Sequence, residues 1–506
     1  TTFAHDMDAG SAARVLVEEL LGIKDIQAPP VVTAVYDNVC TFVGGCDAHI
    51  LAETVMGLVI AWLLLQKSYK PRKHPDELTT AEENELIEEW APQPLVPPQE
   101  AGREPPVVTR LKEGRLCVGD KTCLNLGTLD FLSLLGHTDI NKSCETALRK
   151  YGCGSCGPRG FYGTIDVHLD LEKDISTFLR TEDTIIYSYD IATVSSVIPA
   201  FAKRGDIILY DESVCPSIKQ GLTLSRSVLK AFRHNDLTAL ERVMKVVAQQ
   251  EAARSGDARR FVCVEGIYQS SGELSPLADI VRLCKKYQYR IILDESVSFG
   301  TLGKTGRGAT EHWNVDISDI DMLAASMSNS LATIGGFCSG SHQMVDHQRL
   351  SGSGYCFSAS LPPFNAVAGS SALNLIRSDP QRIAKLQHNS ARLYNSLVTC
   401  LSRASATRGQ LLTLSGQDES PMVLLRLSRN RSSGSVRGDE ALLQQIVDTT
   451  MQQGVAVAVI RGQHVGPANA SPAIRVTANA ALEESDIRDA AKCIVDCTVS
   501  VLCGAQ

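Results

Sequence analysis

Four short apolar runs constrain this chain more than any other feature. They are TIIYSYD from Thr184, DIILYDE from Asp206, RFVCVEG from Arg260 and RIILDES from Arg290. Each is followed by polar or glycine signals. Helix-patterned stretches separate them, among them LTALERVMKVVAQQEAARSG from Leu237 and PLADIVRLCKKYQ from Pro276. Strands alternating with helices predict a mostly parallel sheet covered on both faces. This αβ pattern starts near Cys117 and gives a large α/β domain over residues 117–365. One long helix pattern from about Phe364 to Arg403 then leads into a smaller α+β unit, so that residues 366–506 form a connecting helix and a small domain. The strands predicted there are MVLLRL and VAVAVI, with a final helix LEESDIRDAAKCIVDCTVSVL. No internal repeat is visible.

The N-terminal part reads differently. Ile50 to Leu65, ILAETVMGLVIAWLLL, carries Glu53 as its only charge. Sixteen helical residues rise about 24 Å, short of a hydrocarbon core of roughly 30 Å. Flanks from Asp47 to Gln66 make spanning feasible, with Trp62 and Tyr69 as interfacial anchors. The basic cluster KSYKPRKH, Lys67 to His74, follows at once, whereas Asp37, Asp47 and Glu53 lie upstream or at the start of the run. Positive flanks stay cytosolic, so the expected topology is a single pass with a lumenal N-terminus and a cytosolic body. Residues 1–46 then form a lumenal segment, in which SAARVLVEELLGI from Ser11 to Ile23 is an amphipathic helix candidate. Residues 67–116 read as a basic, then acidic and proline-rich linker, with Thr80 the candidate cap of a short helix ending before Pro92.

Hydrophobic residues at 44% and a net charge of −8 over 506 residues suit a globular body and give no basic face for nucleic acid. The 16 cysteines are scattered, several in apolar contexts such as Cys263 and Cys356, which reads as free thiols in a reducing compartment. Cys153 and Cys156 form a C-x-x-C without the second Cys/His pair or the thioredoxin-like context that zinc or redox chemistry wants. No metal site is expected.

Three motifs carry more specific information. Tyr151 to Phe178 reads YGCGSCGPRGFYGTIDVHLDLEKDISTF, Ile292 opens ILDESVSFGTLGKTGRG, and ASMSNSLATIGGF surrounds Asn329. In this order they resemble the α-oxoamine synthases, a family of fold-type-I enzymes dependent on pyridoxal phosphate (PLP). The resemblance covers nearly everything from Cys117 onward. Within that family the glycine-rich block looks like the first long-chain-base subunits of serine palmitoyltransferases. KRGDIILYDE, HNDLTALE, EHWNVDISDIDM, DHQRLSGSGYCFSASLPP and KSYKPRK point the same way. The stretch Gly300 to Gly308 is a poor Rossmann loop, because it does not open a strong helix with an acidic residue about 20 further on.

The resemblance implies four devices for holding PLP, and this sequence departs from three. The Schiff-base lysine stands six residues before the Gly-Gly pair; counting back from Gly335 gives Asn329, and no lysine occurs between Lys304 and Lys385. An amide is neither basic nor nucleophilic enough to form an imine. The stacking histidine, four residues after Asp211, is Cys215, and the histidine on the ring hydroxyl is Val297. Asp294 retains the position that pairs with the pyridinium, and a helix cap or buried acceptor is its expected role. Cys156, Gly157, Pro158 and Arg159 are expected to line a partner subunit's pocket, with a structural ion pair as the alternative for Arg159. Ser358 and Ser360 match hydroxyls that reach the partner's PLP phosphate, with a turn before Pro362 as the alternative. His168 and His234 are expected to be structural. Arg475 matches a carboxylate-binding position, with no substrate expected near it.

The resemblance therefore implies a non-catalytic subunit in the endoplasmic reticulum membrane. Its partners would be a PLP-bearing second long-chain-base subunit, a small activating subunit, Orm-type regulators and membrane lipid. The shared reaction would condense L-serine with palmitoyl-CoA to 3-ketosphinganine, opening sphingolipid synthesis. An independently active α-oxoamine synthase and a membrane scaffold or regulator are the alternatives.

Overall fold

The computed structural model describes residues 48–66, 78–92, 105–252, 258–461 and 471–504. The chain divides into two compact units, Thr1–Arg103 and Glu104–Gln506.

In the first unit a helix covers Ala48–Leu65, with Val55, Leu58, Trp62 and Leu65 among its exposed side chains. Eighteen residues rise about 27 Å. Among the described residues, no helix is long and apolar enough to cross a membrane. The amphipathic candidate Ser11–Ile23, Tyr69 and the cluster Lys67–His74 lie outside the described residues. The short helix Thr80–Glu89 is capped by Thr79 rather than the expected Thr80. The Thr79 hydroxyl accepts from the Glu82 amide, and the Glu82 carboxylate accepts from the Thr79 amide at 2.7 Å. Each threonine has a glutamate three residues on, Glu82 or Glu83, so the spacing fits either cap; the reciprocal bonds form at Thr79.

The second unit begins with strands β1 (Val108–Lys112), β2 (Arg115–Val118) and β3 (Lys121–Asn125), ahead of the expected start near Cys117. The four apolar runs become β4 (Asp183–Tyr187), β5 (Ile207–Asp211), β7 (Arg260–Glu265) and β8 (Arg290–Asp294). With β6 (Val228–Phe232), β9 (Met322–Ser326) and β10 (Gly336–Gly340) they form a seven-stranded sheet in the order β4-β10-β9-β8-β7-β5-β6. Pairing is parallel from β9 through β6, and β10 runs antiparallel to both β9 and β4. The central strands are buried along their length because helices cover both faces, and their polar residues collect at the C-terminal ends: Asp211, Glu265, Asp294 and Ser326.

The smaller sheet contains β11 (Leu412–Ser415), β12 (Met422–Leu427), β14 (Ala458–Ile460) and β15 (Ala473–Thr477), while β13 (Val455–Ala456) pairs in parallel with β3. The expected single strand VAVAVI is thus shared between two sheets, with Val457 at the crossover. The expected single helix from Phe364 to Arg403 is two, Pro363–Ser378 and Pro380–Arg408. Asp379 between them sits at φ −124° and ψ 74°, because the ring of Pro380 excludes the helical region at the residue before it. All 14 described cysteines are free, and no metal-ligand cluster occurs among the described residues.

Leu293 lies at the centre of this core, fully buried and in register between Val264 and Leu323. Leu293→Ala should lower unfolding free energy by about 2–5 kcal/mol, read from urea denaturation of the full chain.

Candidate functional site

The C-terminal ends of β8 and β9 open onto a cleft of about 360 Å³, lined by Thr193, Cys215, Gln269, Asp294, Ser326 and Asn329 among others. Crevices at this end of parallel strands are where open α/β sheets bind ligands. Three of the four positions singled out in the sequence meet here. Asp294 ends β8; its carboxylate accepts the Ser296 amide at 2.8 Å and lies 3.9 Å from the Cys215 thiol. Burial pushes the Asp294 carboxyl above its ordinary range. Asn329 is buried and donates its amide to the Ser296 carbonyl at 2.6 Å, fastening the β9–β10 connection to the turn after β8. Cys215 stands just before the helix Pro216–Ser225, and its own amide donates to Glu265. Burial, then the Glu265 and Asp294 charges, hold its thiol well above the ordinary range, so it is no nucleophile. Val297 is packed into the core and does not line the cleft.

The residues present do not fit PLP held by this chain. The described lining contains no lysine to form an imine and no aromatic ring to stack on the cofactor. The surviving Asp294 faces a thiol. Three hydrogen-bond donors near the mouth are already used: the hydroxyls of Ser326 and Ser328 and the Gly335 amide all donate to the Asp190 carboxylate.

The glycine-rich block forms a tight turn tied to Ser360. Both the amide and the hydroxyl of Ser360 donate to the Gly157 carbonyl, at 2.9 and 3.0 Å. The Ser360 hydroxyl is therefore engaged by its own chain, while Ser358 is half-buried. A side chain at Gly163 would strike the Gly157 carbonyl, which fixes glycine there. Cys156, Phe161 and Tyr162 are exposed, Cys156 and Tyr162 with φ near +60°. Arg159 points inward instead and grips Glu172 with two bonds of 2.8 and 3.0 Å. Glu172 also accepts the Ile186 amide at 3.1 Å, so the pair ties the helix Asp166–Leu179 to β4. The structural ion pair is the arrangement that forms.

His168 accepts the Ile165 amide through Nδ1 and bonds the Leu361 carbonyl through Nε2, a buried strut. His234 is also held on both nitrogens, by Asp211 at 2.9 Å and by Ser271 at 3.0 Å, with Glu273 at 3.4 Å. Burial lowers its pKa, but the hydrogen bonds and charges of Asp211 and Glu273 together outweigh this and raise it from 6.5 to about 9. Arg475 on β15 donates to the Gly127 carbonyl at 2.8 Å.

The sequence reading missed Asp190, Ser326, Ser328 and the partner of Arg159. An acid opening the helix after β4 and the S-x-S just before Asn329 were the available signals.

Arg159 and Glu172 have side chains only 4% and 5% exposed, so Arg159→Met should strand a buried carboxylate and cost about 3–5 kcal/mol. The double change Arg159→Met with Glu172→Met should cost less than that single change when both are compared by urea denaturation. The His234 cluster stabilises the protonated form. Its contribution, on the order of 3 kcal/mol, is complete below about pH 6.5 and fades as pH rises through about 9. His234→Gln should flatten stability against pH across that window.

Residues 121–494 match the family of aminotransferases of class I and II. The Arabidopsis thaliana protein "Long chain base biosynthesis protein 1" is 46% identical over 407 residues, covering 80% of this chain and 82% of that protein. "Serine palmitoyltransferase 1" of Dictyostelium discoideum is 40% identical over 480 residues, covering 92% and 98%. Among solved structures, the serine palmitoyltransferase of Sphingomonas wittichii shares the fold with a TM-score of 0.67 at 23% identity, over 83% of this chain and 96% of that one. On this coverage and identity the chain belongs to the class I and II aminotransferase family and, within it, to the serine palmitoyltransferase 1 (long chain base biosynthesis protein 1) family.

Proposed function

We propose that this chain is the non-catalytic subunit of a serine palmitoyltransferase, the complex that condenses L-serine with palmitoyl-CoA to 3-ketosphinganine at the head of sphingolipid synthesis. Its relatives by sequence support the activity. The single observation that carries the subunit role is Asn329. By the resemblance it takes the position of the Schiff-base lysine; it lines the cleft, and its amide is committed to the Ser296 carbonyl at 2.6 Å.

PLP belongs in this reading to a second subunit, where it supplies the electron sink for carbanion chemistry. This chain contributes surface and order. The exposed part of the turn, Cys156 with Phe161 and Tyr162, offers apolar contact to the partner's pocket. The Arg159–Glu172 pair and the Ser360–Gly157 bonds hold that turn in shape from behind. Ser358, half-buried beside exposed Phe357, is the hydroxyl left to approach the partner's phosphate.

The helix Ala48–Leu65 is in this reading the anchor of the complex in the endoplasmic reticulum membrane, with the body cytosolic. Exposed Leu58, Trp62 and Leu65 support that reading, since such side chains are stable in lipid and costly in water. A small activating subunit and Orm-type regulators complete the proposed assembly.

Purified alone, the full chain should be colourless and inert towards serine and palmitoyl-CoA. Purified with a lysine-bearing second subunit, it should yield a coloured, active pair. Product and a PLP chromophore from the chain alone would establish an independent α-oxoamine synthase instead. A partner equally active without this chain would leave only a scaffold.

A further inference from the structure

The cleft's disagreement with PLP extends beyond the missing lysine. The helix Asp190–Phe201 starts just after β4, and Asp190, Ile191 and Thr193 bring its first turn to the cleft that Asp294 and Asn329 also line. A helix N-terminus is an anion seat, because its first amides lack partners and the dipole favours negative charge. The end of β9 and the β9–β10 connection, which carries Asn329, add three further donors to Asp190: Ser326, Ser328 and the Gly335 amide. Two hydroxyls, an amide and a helix N-terminus are the donor set that a phosphate monoester uses.

All three donors already converge on one carboxylate of this chain. Ser326 donates to Asp190 Oδ2 at 2.8 Å, Ser328 donates to the same oxygen, and the Gly335 amide donates to Oδ1 at 2.8 Å. Gly335 holds φ +94°, and a Cβ there would lie 2.5 Å from the Tyr187 carbonyl, so glycine alone presents its amide at this point. We propose that Asp190 is a built-in anion that occupies the phosphate seat of this chain's own cleft and excludes phosphate-bearing ligands from it. A phosphate arriving there would meet spent donors and a like charge. The exclusion deepens the non-catalytic reading above and rests on it: with Asn329 no covalent hold is possible, and with Asp190 no ionic hold is either.

The test uses the full chain with inorganic phosphate and, separately, PLP as probes, against chloride at matched ionic strength. The wild-type midpoint of thermal unfolding should not respond to either probe. Asp190→Gly should melt lower, because it strands the Ser326 and Ser328 hydroxyls and the Gly335 amide. Tens of millimolar phosphate should then raise its midpoint by about 2 °C or more. Asp190→Ser, which keeps a small side chain at the helix start, provides the same comparison if the glycine variant does not fold. Wild-type stabilisation by phosphate equal to that of the variants overturns the proposal, as does a folded variant that ignores phosphate. The wider reading fails by a different sign, a visible chromophore in the wild-type chain with PLP, whatever phosphate does.

Discussion

A parallel sheet with both faces covered leaves its strands no solvated side. In the seven-stranded sheet of this protein, β7, β8 and β9 run side by side with nearly every residue buried. Apolar side chains supply the burial that offsets the ordering of so many residues, and polar groups are tolerated only where the strands end. That constraint places Asp211, Glu265, Asp294 and Ser326 in one layer. The cleft, the struts around it and the seat of Asp190 all lie along that layer.

Carboxylates crowded at strand ends must be neutralised, hydrogen-bonded or paired. Each solution is present. Asp211 faces the His234 imidazolium. Glu265 accepts the Cys215 and Gln269 amides, while burial and then the Asp294 charge push its carboxyl upward. Asp190 draws on two hydroxyls and an amide. In a PLP enzyme a bound cofactor would answer part of this demand with its pyridinium and would use the phosphate donors itself. Here the chain answers with its own side chains, and the cleft persists as a self-satisfied structure. On the proposed reading of a non-catalytic subunit, such self-satisfaction keeps the core stiff behind the exposed turn.

The turn over Cys156–Gly163 shows the same division of labour. Its inner side is over-determined by Arg159, Glu172, Ser360 and Gly163, and its outer side leaves Phe161 and Tyr162 exposed. Backbone strain at Tyr162 and Cys156 is stable only because the inner contacts hold it.

Local signals in the sequence determined much of this. Apolar runs of strand length between helix patterns announced the parallel sheet, and the resemblance to the α-oxoamine synthases, counted back from Gly335, picked out Asn329, which lines one cleft with Cys215 and Asp294. The break at Asp379 was also written locally, in Pro380, though the periodicity on either side obscured it. Other features depend on residues far apart in the chain. VAVAVI reads as one strand, and only the positions of β3 and β15 split it between two sheets. Arg159 could have faced a neighbour; the packing of the helix Asp166–Leu179 on β4 turned it to Glu172. Asp190 lies more than a hundred residues from Ser326, Ser328 and Gly335. Sequence fixes which groups can donate or accept, but hydrogen bonds act over about 3 Å, and folding alone brings such distant groups within that reach.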